Sequence, residues 1–208
     1  MRVLVACEYS GTVRDAFIAL GHNATSCDLL PTDQPGPHYL GNVLDILDQG
    51  WDLMVAHPPC TYLCASGLHW NKKQPERELK TIEAVEFVRL LLGAPIPLIA
   101  LENPVGRIST AIRKPDQYIQ PHQFGADASK KTGLWLKGLP KLEPTEMVEP
   151  RWVNGKARWS NQTDGGWNRL PPSEDRWKLR STTYEGVAKA MAEQWSNVQP
   201  QQLGLWNG

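Results

Sequence analysis

A chain of 208 residues, 41% hydrophobic and 21% charged, carries enough apolar material for one buried core and excludes wholesale disorder. Its 22 Lys and Arg balance 22 Asp and Glu, so net charge does not mark it as a nucleic-acid binder. No apolar run approaches the roughly 20 residues of a bilayer span, and Met1-Arg2-Val3-Leu4-Val5-Ala6-Cys7 lacks a signal-peptide layout, so a soluble cytoplasmic protein is expected.

In chain order, residues 2–7 read as a strand, and Gly11 precedes a helix over 12–20 with Val13, Ala16, Phe17 and Leu20 on one face. Gly21 stops that helix, and a second strand over 23–27 ends at Asp28. A third strand, 52–56, enters the loop His57-Pro58-Pro59-Cys60. A helix over 75–92 follows, with Ile82, Val85, Val88 and Leu92 on one face. Residues 97–101 form a strand that runs into Glu102-Asn103-Pro104, and 118–124 and 132–136 are further strands. This alternation predicts a parallel α/β sheet with helices on both faces. In such sheets ligands lie beyond the C-terminal strand ends, where Glu8 to Gly11, Asp28, Cys60 and Glu102 all fall.

Residues 144–179 differ: Trp152, Trp159, Trp167 and Trp177 stand among basic residues, with Gly165-Gly166 and Pro171-Pro172. This stretch predicts a small irregular insertion (144–180) after a main domain over 1–143. An amphipathic helix, 184–195, returns to that domain within a closing segment over 181–196, and the tail over 197–208 is expected to fray.

Charge is unevenly spread. Residues 1–60 carry seven acidic side chains against Arg2 and Arg14, whereas 107–142 carry seven basic ones against Asp116 and Asp127. That division suits two ligands, one cationic and one polyanionic. The four cysteines show neither CxxC pairing nor His-rich spacing, so neither a metal site nor a disulfide framework is expected. Cys7 and Cys27 read as small buried hydrophobes.

Three constellations carry chemistry. Glu8-Tyr9-Ser10-Gly11 follows the first strand with a single glycine, and its carboxylate suits a cationic or zwitterionic ligand better than a diphosphate. Asp28 is placed for a ribose hydroxyl and Asp45 for an adenine amino group. Pro58-Pro59-Cys60 presents a thiol at a strand end, where a nearby helix N-terminus can lower its pKa. On the same rim, a protonated Glu102 could donate to a pyrimidine ring nitrogen.

In this order the features resemble the DNA cytosine-5 methyltransferase family, in its compact phage or prophage form, over most of the chain. The resemblance implies a Rossmann-like S-adenosylmethionine-dependent methyltransferase fold: a mostly parallel sheet with helices on both faces and a small irregular insertion. It implies Glu8, Tyr9, Ser10, Gly11, Asp28, Asp45, Pro58 and Tyr184 as cofactor-binding residues. Cys60 is then the nucleophile, with Glu102 and Lys131 as further catalytic residues. Pro59, Asn103, Lys130, Trp159 and Trp167 are substrate-binding. The implied partner is DNA, either a duplex with a flipped cytosine or a single strand, with no membrane and no metal. Ser129-Lys130-Lys131-Thr132-Gly133 stands where the family has its basic motif, with lysines for arginines. Arg180 to Gly186 resembles the closing motif. Thr61 and Cys64 replace the glutamine and serine that often follow the catalytic cysteine. The short insertion either packs its tryptophans as a small core or stacks them on unpaired bases. Methylation of an exocyclic amine, action on RNA or a free nucleotide, and a silent binder with this fold stay open. The sequence does not give the oligomeric state.

Overall fold

The computed structural model describes residues 1–71, 73–174 and 176–198; the expected frayed tail therefore lies, beyond Val198, outside the described residues. The elements are β1 (Arg2–Ala6), α1 (Thr12–Ala19), β2 (Asn23–Asp28), β3 (His38–Leu40), β4 (Leu53–Ala56), α2 (Ala65–Leu68), α3 (Pro75–Leu92), β5 (Leu98–Pro104), α4 (Ile108–Ala111), β6 (Gln117–Ile119), β7 (Thr132–Lys137), β8 (Arg151–Val153), β9 (Lys156–Arg158), α5 (Arg176–Ser181) and α6 (Glu185–Trp195). Single 3-10 turns stand at Val43–Asp45 and Pro121–Gln123.

In β1, Val3, Leu4, Val5 and Ala6 are all fully buried, and a strand without a polar face must be covered on both sides. Alternate residues go to opposite faces. Val3, Val5, Leu53, Val55, Leu98 and Ala100 pack with Phe17 of α1 and Met191 and Trp195 of α6. Leu4, Ala6, Met54, Ala56, Ile99 and Leu101 pack with Val85, Val88 and Leu91 of α3 and with Trp135. Seven strands form one sheet in the order β3-β2-β1-β4-β5-β7-β6. The strands from β3 to β5 are parallel, while β7 runs antiparallel to both β5 and β6. This is an α/β, mostly parallel architecture of Rossmann-like type. The chain winds outward from β1 to β3 and then returns to β4 on the other side of β1. That reversal opens a crevice beyond the ends of β1 and β4.

Trp195 is fully buried and its Nε1 donates to Pro140 O at 3.0 Å. Trp195→Ala is expected to cost about 3–5 kcal/mol and lower Tm by roughly 10 °C. Leu20→Ala, at a 46% exposed site, should change stability by no more than about 0.5 kcal/mol. Thermal unfolding of the two variants checks both values.

Several elements depart from their sequence pattern. Leu20 is exposed because α1 ends at Ala19, whereas Arg14 is fully buried, turned toward the loop over 32–35. In α3 the buried face is Thr81, Val85, Val88 and Leu91, and Ile82 is 50% exposed. Thr81 is admitted inside because its hydroxyl bonds Tyr62 O and Asn71 Nδ2. The short strand β3 and helix α2 have no counterpart among the expected elements. β5 continues through Glu102-Asn103-Pro104, since β7 pairs along that whole length. β6 stops at Ile119 because Pro121 cannot donate to a ladder and opens a 3-10 turn instead. The insertion is not wholly irregular. β8 and β9 form a hairpin around Asn154-Gly155, whose φ values of 49° and 72° are those of a type I′ turn. Among the described residues, no helix is long and apolar enough to cross a membrane.

Candidate active site

The loop after β1 is built around a carboxylate turned inward. Glu8 is 4% exposed; it accepts from Val13 N at 2.7 Å, from Arg14 N at 3.2 Å and from Ser10 Oγ at 3.2 Å. It caps the N-terminus of α1, whose N-cap Gly11 has no side chain to do so. This corrects the expectation that Glu8 faces a cationic ligand. Gly11 is required as glycine: its φ is +77°, and a Cβ there would meet Arg14 Nη2 at 2.5 Å. Tyr9 is also buried; its hydroxyl bonds Lys178 O at 3.1 Å and Ser181 Oγ at 2.9 Å, tying the loop to α5. Ser10 lines a cavity of about 490 Å³ with Thr12, Asp15, Asp33, Thr182 and Glu185.

Asp28 ends β2, and Asp45 lies in the 3-10 turn Val43–Asp45. Both bear on Cys27, whose thiol is pushed up to about 12 by burial and by the two carboxylates. Cys7 is raised by burial, Asp28 and Cys27. Cys27 is buried, as its sequence context predicts, whereas Cys7 is only half-buried. Burial also raises the Asp28 carboxyl, against the 2.9 Å bond it accepts from Leu30 N. Half-buried at the end of β2, Asp28 keeps acceptor capacity for a hydroxyl.

Across the switch point, β4 ends in Pro58, buried, and Pro59 and Cys60, both exposed. Asn103 Nδ2 donates to Pro58 O at 2.7 Å, and Asn103 is 1% exposed. Asn103 therefore braces the loop from within, and direct substrate contact is not what its position offers. Cys60 begins a helical turn in which Cys64 N bonds Cys60 O at 2.9 Å. The expected lowering of the Cys60 pKa is corrected: its thiol is raised, first by its hydrogen bond with Cys64, then by partial burial. The helix N-terminus lies at Cys64, which caps α2. Cys64 is pulled down to about 5 by the bond from Cys60, against burial and with help from Ser66 and the Gly67 N–H. The two thiols thus shift each other in opposite directions, Cys60 up and Cys64 down.

Glu102 lies on β5, beside the β4 end that carries this loop. Its side chain is 15% exposed, and Oε2 lies 3.3 Å from His57 Nδ1. Burial works against its charge, but the His57 hydrogen bond, Lys130 and Thr132 outweigh burial and hold the carboxyl below its usual range. The expected protonated Glu102 is thus corrected to an ionised one in the ligand-free protein. Lys130 also bears on Cys60, whereas Lys131 turns away, its ammonium 4.4 Å from the centre of the Tyr118 ring. Residues 130 and 132 share one face of an extended segment and 131 takes the other. The structure brings Lys130, and not Lys131, to Cys60 and Glu102. Glu102, Lys130, Thr132 and Tyr184 line one narrow cleft, so Tyr184 sits with the acid and not with Asp28.

The insertion closes over this cleft through Asn161. Its Oδ1 accepts from Ser129 N and its Nδ2 donates to Ser129 O, both at 3.0 Å, and it bonds the Tyr184 hydroxyl. Trp159 stacks on His122 at 4.2 Å and 15°. Trp167 is 78% exposed. The tryptophans thus divide between packing and exposure. Asn161, His57, Cys64 and Thr132 join the site without having been expected there; the signal for His57 is its place as the polar residue directly before the proline pair. Among the described residues, no group of three or more His, Cys, Asp or Glu side chains is placed to hold a metal ion. The chain matches no protein-family model and no curated protein sequence.

Proposed function

We propose that the protein transfers a methyl group from S-adenosylmethionine to C5 of cytosine in DNA through a covalent Cys60 adduct. The observation that carries this reading is the meeting of Cys60, Glu102 and Lys130 on adjacent strand ends, across the switch point from Asp28 and Asp45. The strand order supports a SAM-dependent methyltransferase fold, because its first five strands follow the doubly wound order 3-2-1-4-5. The rim is polarised, with carboxylates beside β2 and a lysine beside β7. That polarity suits a cationic nucleoside on one side and an anionic strand on the other.

The acceptors at the β1 and β2 ends fit the cofactor: Asp28 for a ribose hydroxyl and Asp45 for an amino group. When bound, S-adenosylmethionine supplies an electrophilic methyl on its sulfonium. Cys60 Sγ adds to C6 as its proton passes to the Cys64 thiolate. The base takes a proton from solvent at N3, and the ionised Glu102 accepts from that N3–H and from the exocyclic amine, holding the form whose C6 is open to sulfur. After C5 is methylated, water takes the C5 proton, Cys60 leaves as a thiolate and recovers its proton from Cys64, and the N3 proton returns to solvent, which restores the ring. C6 is hidden in a duplex, so the base is flipped out or already unpaired.

Lys130→Ala removes the cation beside both reacting groups and should lower the rate about 10²-fold. Lys131→Ala should leave it within about twofold, since that ammonium sits over the Tyr118 ring, turned away from the cleft. Single-turnover rates of the purified variants distinguish the two lysines. The overall test is expression in a host lacking cytosine-C5 methylation, with 5-methyldeoxycytidine measured in host DNA by mass spectrometry. A signal supports the reading, and its absence from cells containing folded protein counts against DNA as substrate.

A further inference from the structure

His57 follows β4 directly and stands immediately before the proline pair. Its backbone N–H bonds Ala6 O at 2.9 Å, which pins it at the switch point, and its side chain is 9% exposed. Nδ1 lies 3.3 Å from Glu102 Oε2. An ionised carboxylate only accepts, so Nδ1 carries the proton of that bond. Nε2 is buried and has no partner among the described residues. A buried ring nitrogen without a partner is costly, so the polar contact that holds this ring in place is the one to Glu102.

The charged and titratable groups that face Glu102 come from three directions: His57 from β4, Cys60 from the loop after it, and Lys130 from the segment before β7. Tyr184, at the start of α6, shares the cleft. Lys130 reaches Glu102 on a flexible stem, whereas the His57 ring is enclosed. We propose that His57 is a positioning residue that fixes the Glu102 carboxylate and balances its charge through Nδ1–H. Its catalytic meaning rests on the function proposed above; the contact with Glu102 does not. Of the contributions that bring Glu102 below its usual range, the His57 hydrogen bond is the largest.

The test compares His57→Asn, whose amide nitrogen takes the place of Nδ1, with His57→Gln, which moves it toward Nε2. Carboxyl-¹³C-glutamate is incorporated into the full chain and the Glu102 signal, assigned by its loss in Glu102→Gln, is titrated by NMR. Glu102 should titrate below the usual glutamate range in wild type and His57→Asn, and at distinctly higher pH in His57→Gln. Identical titrations in all three proteins overturn the proposal, as would an upward shift in His57→Asn equal to that in His57→Gln. In the methylation assay, His57→Gln should lose about tenfold in kcat with the cofactor KM unchanged, and His57→Asn should recover most of it. If the titrations differ as expected but wild type makes no 5-methyldeoxycytidine, the His57–Glu102 coupling stands and the methyl-transfer reading falls.

Discussion

Cys60→Ala is expected to lower 5-methyldeoxycytidine in host DNA to background, a loss on the order of 10⁴-fold or more, as when other covalent nucleophiles are removed. Cys60 is exposed at the end of a proline-stiffened loop and faces both Lys130 and Glu102. Without its sulfur no group in that position can add to C6. Cys64 is the rival, since its thiol is the one of the pair that is shifted downward. It lies one helical turn further on, at the start of α2, with its Sγ 3.2 Å from Ser66 Oγ. Cys64 is placed to receive the Cys60 proton, so Cys64→Ser should slow the reaction without abolishing it. The lowered Cys64 thiol keeps an acceptor for that proton well below the usual thiol range, so the wild-type rate should vary little from pH 6 to 8. In Cys64→Ser the acceptor is lost, and the rate should fall steadily as pH drops below the ordinary thiol range of about 8.5. A Cys64 variant as dead as Cys60→Ala would reverse the two roles.

Glu102→Gln should cost about 10²–10⁴-fold in single-turnover rate, while cofactor binding is preserved. The amide keeps the volume and an oxygen that can accept from His57, so the fold should survive. It loses the charge that stabilises a proton on N3, and it leaves Lys130 without its counter-charge in the cleft. The loss should therefore appear in the chemical step. If Glu102→Gln matches wild type in that step, Glu102 is not the group that activates the ring.

Much of the fold is legible in the sequence because β1, β4 and the first half of β5 are buried and read as short apolar runs between glycine and proline breaks. Cys60 and Glu102 are legible as a pair because both end such runs. What the sequence hides is direction. A one-residue difference in phase decides whether Lys130 or Lys131 faces the site, and the start of an extended segment is not marked in the sequence. Glu8 looks like a ligand group because its helix-capping role depends on three-dimensional closure onto Val13 and Arg14. Cys60 and Cys64 stand four residues apart in print, but only the helical turn between them makes one thiol the other's proton partner. The place of His57 before the proline pair marks it, but its partner, Glu102, is 45 residues away and is not marked with it. The Asn154-Gly155 hairpin, by contrast, carries a local signal that the surrounding tryptophans and glycines mask.

The covalent adduct itself decides whether Cys60 is the nucleophile. Wild-type protein, S-adenosylmethionine and DNA in which 5-fluorodeoxycytidine replaces part of the cytosine are mixed, denatured, digested and mapped by mass spectrometry. Fluorine at C5 cannot leave as a proton does, so an enzyme that works through this mechanism is trapped after methyl transfer. A methylated fluorocytosine linked to Cys60 is expected in wild type, with no adduct in Cys60→Ala. Cofactor and DNA binding without any adduct, or an adduct on Cys64, would overturn the Cys60 mechanism.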